Sequence, residues 1–423
     1  TSIPVLTLPT MAGGTTAYTI ASIQRAPILK GARIQAIINA TNTGAIIVKR
    51  TTNPIIRLDY TLWSSPVANQ GLFSFSPLTA ISPSVRFYSY TTSANAYTPP
   101  TSAAISTEKF GTAKGYLIRL PYNHPTAPVA WTGTFTGVPN NGPQTIALTS
   151  DVDPTKRFNL IGNPYPSAIR IDDFLSLSEN EPLFDQTVYL WTHNSELNSS
   201  NGYQYTTDDY AVYNFTGGVS AKAAYGVGQS SLTEITPSGY IATGQSFFIK
   251  AKASGTAVFN NSVRNISYNA EFYKNAITTA SPQMNIEKNR VWLDIRNSQG
   301  AFKQTLVGYF TGATDGIDSK YDGVNLNGNS YMNFYSINAA SKLSIQGRAL
   351  PFTTTDRVEL GYYSALAGTY KIYIVSKNSS GLPLGIALAG QATIGKSTVS
   401  TIKIDNDSCY VVTSASADAI KYP

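Results

Sequence analysis

The sequence predicts an all-β fold: tandem β-sandwich-like modules, two related copies followed by a C-terminal β-sandwich, with a short β-rich N-terminal segment ahead of them. Three observations lead there. Val, Ile, Thr, Tyr and Phe fill short runs of strand length, while 32 Gly and 23 Pro lie between them as turn formers. A chain of 423 residues exceeds the roughly 250–300 at which one core stops growing, so several domains are expected. One ordered series of four apolar runs occurs twice, which marks a duplicated unit.

Residues 1–56 are the N-terminal segment. The chain has no Asp or Glu through Leu58, but it carries Arg25, Lys30, Arg33, Lys49, Arg50 and Arg57 there, nearly all of its formal net charge of +7. Such asymmetry marks an arm that meets an anionic surface, or strands kept soluble and unpaired at their edges by a few cations. The run Ile34–Val48 is of a length to add a strand to a neighbouring subunit's open edge, or else to pair within its own chain.

The first module, residues 57–150, contains Tyr60-Thr-Leu-Trp63, Arg86-Phe-Tyr-Ser-Tyr90, Lys114-Gly-Tyr-Leu-Ile-Arg119 and Gly133-Thr-Phe135. The second, residues 151–268, contains Phe158-Asn-Leu-Ile-Gly162, Thr187-Val-Tyr-Leu-Trp191, Gln245-Ser-Phe-Phe-Ile-Lys250 and Gly255-Thr-Ala-Val-Phe259. Where the first copy needs only Thr91 to Ala113, the second spends Thr192 to Gly244. An excursion of that length houses a binding site or builds a wall between modules. A helical turn is expected around Ile171–Ser178, with Asp172 and Asp173 near its N-terminus.

Residues 269–289 read as a linker, broken at Ser281-Pro282. The third unit, residues 290–423, opens with a hairpin of Arg290–Arg296 and Phe302–Phe310 about the turn Asn297–Gly300. Strands follow at Tyr331–Ile337, Leu343–Gln346, Arg357–Tyr362, Gly368–Ser376 and Thr398–Ile404. Turns at intervals of about 8–12 residues fit a sandwich.

Composition narrows the function classes. Charged residues are only 13 %, against about 25 % in typical soluble domains. A surface of hydroxyls and amides suits an exported protein. The cations are dispersed and form no compact patch, which argues against nucleic acid. Cys409 is single, so neither an internal disulfide nor a cysteine zinc site is possible, and it reads as a small buried hydrophobe. No apolar run has the length of a membrane-spanning helix. The chain opens at Thr1 without a Met, so an exported form would already have lost its leader.

The stretch Phe158-Asn-Leu-Ile-Gly-Asn-Pro-Tyr-Pro-Ser-Ala-Ile169 resembles one found in large cell-surface proteins that Bacteroidota export through the type IX secretion system. Arg57–Val67, Gly115–Arg119, Phe135–Gly142, Ser238–Lys250, Gly300–Tyr309 and Ile345–Phe352 extend the resemblance over roughly residues 45–375. It implies export, display on or release from the cell surface, and adhesive or matrix roles. Members usually end in a β-sandwich sorting signal, and no catalytic residues carry over.

The residues themselves assemble no catalytic set and no cofactor-binding set. His124 and His193 are too few for a zinc site. Gly244-Gln-Ser246 lacks the second glycine of a nucleophile elbow, and no phosphate-binding or dinucleotide loop occurs. Asp172-Asp173 and Asp208-Asp209 are adjacent pairs that strand geometry points to opposite faces, which fits caps or solvated loops better than a glycosidase dyad. Asp315, Asp318 and Asp322 form the one metal candidate, an oxygen set suited to Ca²⁺. Trp63, Trp191 and Trp292 sit in strand-like runs and are assigned to cores.

The expectation is a non-catalytic extracellular or outer-surface protein with a structural or adhesive role. Its sharper form is a subunit of an extracellular filament or surface layer that self-associates through the N-terminal segment. A carbohydrate-binding module that contacts surface glycans through exposed Tyr and Trp is the alternative from another class. A glycoside hydrolase is the last.

Overall fold

The structure, a computed structural model, describes residues 41–191, 209–221, 236–265, 268, 289–297, 301–326, 332–351, 356–364, 368–377, 383–394, 398–405 and 408–413. The linker expected at 269–289 lies almost wholly outside these residues, as does most of the N-terminal segment.

The first module is built from β1 (Ile46–Ile55), β2 (Tyr60–Trp63), β3 (Phe87–Thr91), β4 (Ala96–Thr98), β5 (Tyr116–Arg119) and β6 (Val129–Gly137), with a short helix α1 (Leu72–Phe75) after β2. The second is built from β7 (Gln144–Leu148), β8 (Phe158–Gly162), β9 (Ala168–Arg170), β10 (Phe184–Trp191), β11 (Tyr210–Asn214), β12 (Gly217–Val219), β13 (Tyr240–Ile241), β14 (Ser246–Ala251), β15 (Gly255–Phe259) and β16 (Arg264–Asn265), with α2 (Ile171–Leu175) after β9.

The duplicated runs adopt one topology. In the first copy the main sheet runs β2-β5-β3-β4, and a separate ribbon pairs β1 with β6. In the second the main sheet runs β8-β14-β10-β11-β12, and the ribbon pairs β7 with β15. The packing repeats as well. Phe75 of α1 stacks on Phe135 of β6 with centroids 4.5 Å apart, and Phe174 of α2 stacks on Phe259 of β15 at 4.5 Å. Each core lies between sheet and ribbon: Val48, Trp63, Phe87, Ile118 and Phe135 in one, Leu148, Ile161, Val188, Phe247 and Phe259 in the other.

Strand pairing moves two boundaries. Near the end of the presumed N-terminal segment lies β1, Ile46–Ile55, whose Ile46, Ile47 and Val48 lie opposite Gly137, Thr136 and Phe135. Gln144–Leu148, placed at the end of the first copy, belongs by pairing to the second. The reason is backbone satisfaction: β6 and β15 each need a partner for their N–H and C=O groups, and the strand just ahead of each copy supplies it.

The copies meet about an approximate two-fold axis. Ser64 N–H donates to Gly244 O (3.0 Å) while its counterpart Gly162 N–H donates to Ala113 O (2.8 Å), and single bridges join Trp63 to Gln245 and Ile161 to Lys114. Such reciprocity is the mark of an isologous contact. The backbones come so close that a Cβ on Gly115 would stand 2.9 Å from the Cβ of Ser246, and one on Gly162 would overlap Ser64.

The main-sheet strands bury both faces. Trp63, Ile118, Ile161 and Phe247 point into their own cores, while the alternate residues Leu62, Leu117, Leu160 and Phe248 join a second cluster with Tyr189, Trp191, Trp292, Leu306 and Ile345. Continuous apolar runs such as Tyr-Leu-Ile and Phe-Phe-Ile follow from burial on both sides.

The third unit contains β17 (Arg290–Asn297), β18 (Phe302–Phe310), β19 (Gly323–Val324), β20 (Met332–Asn338), β21 (Ser341–Ala349), β22 (Val358–Ser364), β23 (Gly368–Lys377), β24 (Pro383–Ile394), β25 (Thr398–Asp405) and β26 (Ser408–Thr413). They form one sheet in the order β24-β23-β17-β18-β21-β20-β22-β25-β26, with β19 beside β21 and with β18 and β21 parallel. The sheet folds over on itself. Leu293, Ile295, Tyr370 and Ile372 meet Met332, Phe334, Leu360 and Tyr362 across the fold, so the sandwich comes from one continuous sheet. The expected hairpin pairs in register from Arg290↔Gly308 to Arg296↔Phe302.

Candidate functional site

The acidic stretch after β18 holds the strongest site candidate of the sequence, and the structure commits each of its three carboxylates to backbone N–H groups. Asp322 is 5 % exposed; its two oxygens accept the N–H groups of Gly347 (2.8 Å) and Asp318 (2.6 Å). Asp318 accepts from Lys320 N–H, and Asp315 accepts from Ala349 N–H and lies 3.5 Å from Arg348. A Ca²⁺ ion needs six to eight oxygens around one point. Here the carboxylates accept backbone N–H groups, Asp318 within the loop, Asp315 from the distant Ala349 and Asp322 from both Asp318 and the distant Gly347, and among the described residues no three His, Cys, Asp or Glu side chains gather as a metal site would require. Burial, opposed by the two N–H donors and Arg348, pushes the Asp322 carboxyl up to about 6.

What the acidic loop does is dock. Thr187 Oγ1 donates to Asp322 O (3.3 Å), Gln186 N–H to Ser319 O (3.1 Å), and Asn214 Nδ2 and Thr216 Oγ1 to Tyr321 O (2.9 and 2.7 Å). The second-copy excursion meets the third unit at the same seam. Trp292 Nε1 donates to Gly218 O (2.9 Å), and Ser220 donates to Gln304, which in turn donates to the buried Asp294. Within the excursion Thr192–Gly244, the described strands β11 and β12 thus pack against the third unit.

The motif that carries the family resemblance is a fastener. Gly162 permits the close approach at the two-fold axis. Asn163 is fully buried; its amide donates to Ser167 O, Ile241 O and Ala242 O, and its oxygen accepts Tyr165 N–H. Tyr165 donates its hydroxyl to Gly142 O (2.7 Å), and its ring lies under Arg264, 4.9 Å from the guanidinium.

A feature that strand-by-strand reading missed lies at the rim of the first copy's sheet, where β2, β5 and β3 end together and Tyr60 and Tyr88 border the second cluster. Tyr60 stands opposite Arg119 in the β2–β5 register, and Arg119 N–H donates to Arg86 O (3.1 Å). Inward-facing Phe87 separates Arg86 from Tyr88, so both of these point outward with Tyr60 and Arg119. The Tyr60 and Tyr88 rings are 5.9 Å apart and tilted by 59°, and Arg86 Nη1 donates to Tyr88 Oη (3.3 Å). All four side chains are half-buried. The sequence signal was present as two Tyr and two Arg at strand ends, but only pairing brings them to one corner.

The chain matches the family described as Domain of unknown function (DUF8693) over residues 27–380. It belongs to that family. No curated protein and no solved structure matches it.

In this DUF8693 chain the remaining candidates are spent on structure or fall outside the described residues. His124 Nε2 faces Ile55 O (2.9 Å) and Val129 O (3.1 Å), so it donates to both and ties the ends of the ribbon together. Asp172 and Asp173 occupy the first turn of α2, as expected, and both turn to Arg170, at 3.0 and 3.4 Å; Tyr213 also donates to Asp172. Desolvation raises both carboxyls against the pull of that arginine. Asp209 and Ser246 are buried, the latter at the two-fold axis. Trp63, Trp191 and Trp292 are 1 %, 8 % and 8 % exposed. His193, Asp208 and residues 1–40 lie outside the described residues, as does the Cys409 side chain.

Proposed function

We propose that this chain is an exported cell-surface protein with a structural or adhesive role, a scaffold whose contacts are made by its faces and edges without catalysis. One observation supports the reading: the described residues that looked most like chemistry, Asp315, Asp318, Asp322, Asp172, Asp173 and His124, each bond backbone groups or an arginine of the chain itself. The low charge content and the resemblance to surface proteins of the type IX secretion system support the same reading. Within the N-terminal segment, Ile46–Val48 pair with β6 of the same chain, so self-association through that segment is assigned to residues ahead of β1.

Antibody labelling of intact and lysed source cells, with protease shaving of the intact cells, tests the assignment. Label on intact cells that shaving removes, or antigen in the medium, is the expected result. A signal confined to lysed cells overturns the proposal. Removing residues 1–40 and imaging negatively stained preparations tests assembly; filaments unchanged by the deletion exclude that segment as the joint.

A further inference from the structure

We propose that the corner formed by Tyr60, Arg86, Tyr88 and Arg119 on the first module binds an acidic polysaccharide, with the two guanidinium groups on a uronate carboxylate and the tyrosine rings against the sugar. The proposal deepens the adhesive reading by naming a ligand class for one face of the scaffold.

The charge balance of the corner is the first argument. Arg86 bonds only the phenol hydroxyls beside it, which hold its charge, and Arg119 Nε is enclosed without a hydrogen-bond partner. No carboxylate among the described residues pairs with either guanidinium. Asp59, the nearest acid in the chain, is fully buried and turned to Ile56 N–H. Two half-buried guanidinium groups without a counter-ion among the described residues match a carboxylate, which an Arg fork grips in two parallel hydrogen bonds. The flanking rings, tilted by 59° and packed on one side against the second cluster, keep part of their surface exposed beside the guanidinium groups, which suits the C–H face and hydroxyls of a sugar.

The duplication supplies a control inside the same chain. In the second copy the equivalents of Tyr60, Arg86, Tyr88 and Arg119 are Phe158, Thr187, Tyr189 and Lys250. The ring pair survives there, with Phe158 and Tyr189 centroids 5.6 Å apart. The surroundings differ. Tyr189 is 1 % exposed, Thr187 is covered by the acidic loop of the third unit, and Asp185 lies close enough to Lys250 to draw on its charge. This backbone therefore folds without either arginine and without the first phenol, so those groups in the first copy answer to something other than the fold. Where the second copy receives an acidic loop of its own chain, the first presents cations that no carboxylate among the described residues compensates.

The test uses the full chain and affinity electrophoresis, followed by calorimetry, with oligogalacturonate as probe and a neutral β-glucan and poly-L-glutamate as references. Retention by oligogalacturonate at low salt, with weak retention by both references, is expected. Arg86→Gln with Arg119→Gln is expected to lower affinity at least tenfold, Arg119→Lys to lower it in part, and Lys250→Gln to leave it within twofold; thermal melting of each variant shows that it folds. Three outcomes overturn the proposal: no retention by oligogalacturonate, equal retention by poly-L-glutamate, which makes the corner a docking site for acidic protein segments, or undiminished binding in the double variant. None of them touches the surface location, which cell labelling decides separately.

Discussion

Asp322 gives the sharpest physical prediction. Its carboxyl is raised from the usual 3.8 to about 6 by burial, against the opposing pull of two N–H donors and Arg348 and with Asp318 adding repulsion. A folded-state value above the unfolded one means the native protein binds the proton more tightly. The stability linked to this group is therefore fully present below 3.8 and is lost as pH rises through about 6. Between pH 4.5 and 7.5 linkage gives an upper bound of about 2 kcal/mol, and about 1 kcal/mol once partial screening by solvent is allowed for. The assay is urea unfolding followed by tryptophan fluorescence, for the wild type and for Asp322→Asn, at both pH values. Other raised carboxyls, Asp172, Asp173 and Asp185 among them, contribute equally to both proteins and cancel in the difference of slopes. The wild type should lose about 1–2 kcal/mol more than the variant on going to pH 7.5. Parallel pH profiles would refute the view that a buried carboxylate closes the docking loop.

Two further substitutions probe the duplicated architecture. Gly162→Ala places a methyl group on Ser64 at the two-fold axis and should cost about 3 kcal/mol in chemical denaturation, whereas Gly316→Ala, with only Thr314 Oγ1 at 3.6 Å, should stay within about 0.5 kcal/mol; equal costs would remove the close approach as the reason for the glycine. Asn163→Ala leaves buried carbonyls at Ser167, Ile241 and Ala242 and the Tyr165 N–H without their amide partner, and a loss of about 3 kcal/mol is expected in the same assay; a loss below about 1 kcal/mol would show that the motif does not fasten the loop.

Seven strands of the third unit were legible because period-two alternation and turn residues are local signals, while β24 and β26 went unread. Phe302–Phe310 was read from the sequence with the bounds the structure shows, and the flanking strands differ by a few residues at their ends. The short β19 escaped notice because two residues carry no period. The acidic loop stayed open to two readings for an equally local reason: Asp, Gly and Asn in close spacing serve a cation or a turn with the same letters, and its contacts with Gly347 N–H and the second module depend on the tertiary structure.

By itself the sequence determined that the protein is all-β and that one module occurs twice, because side-chain periodicity and repeated order are written along the chain. Only the tertiary structure decided that β1 and β7 complete the two sandwiches, that the copies meet reciprocally at Gly115 and Gly162, and that four separate strand-end residues share one cationic, aromatic corner. Those facts depend on which backbone groups find each other across tens of residues. Strand pairing of that range is chosen by the closing of the whole core and leaves no mark in any short stretch of sequence.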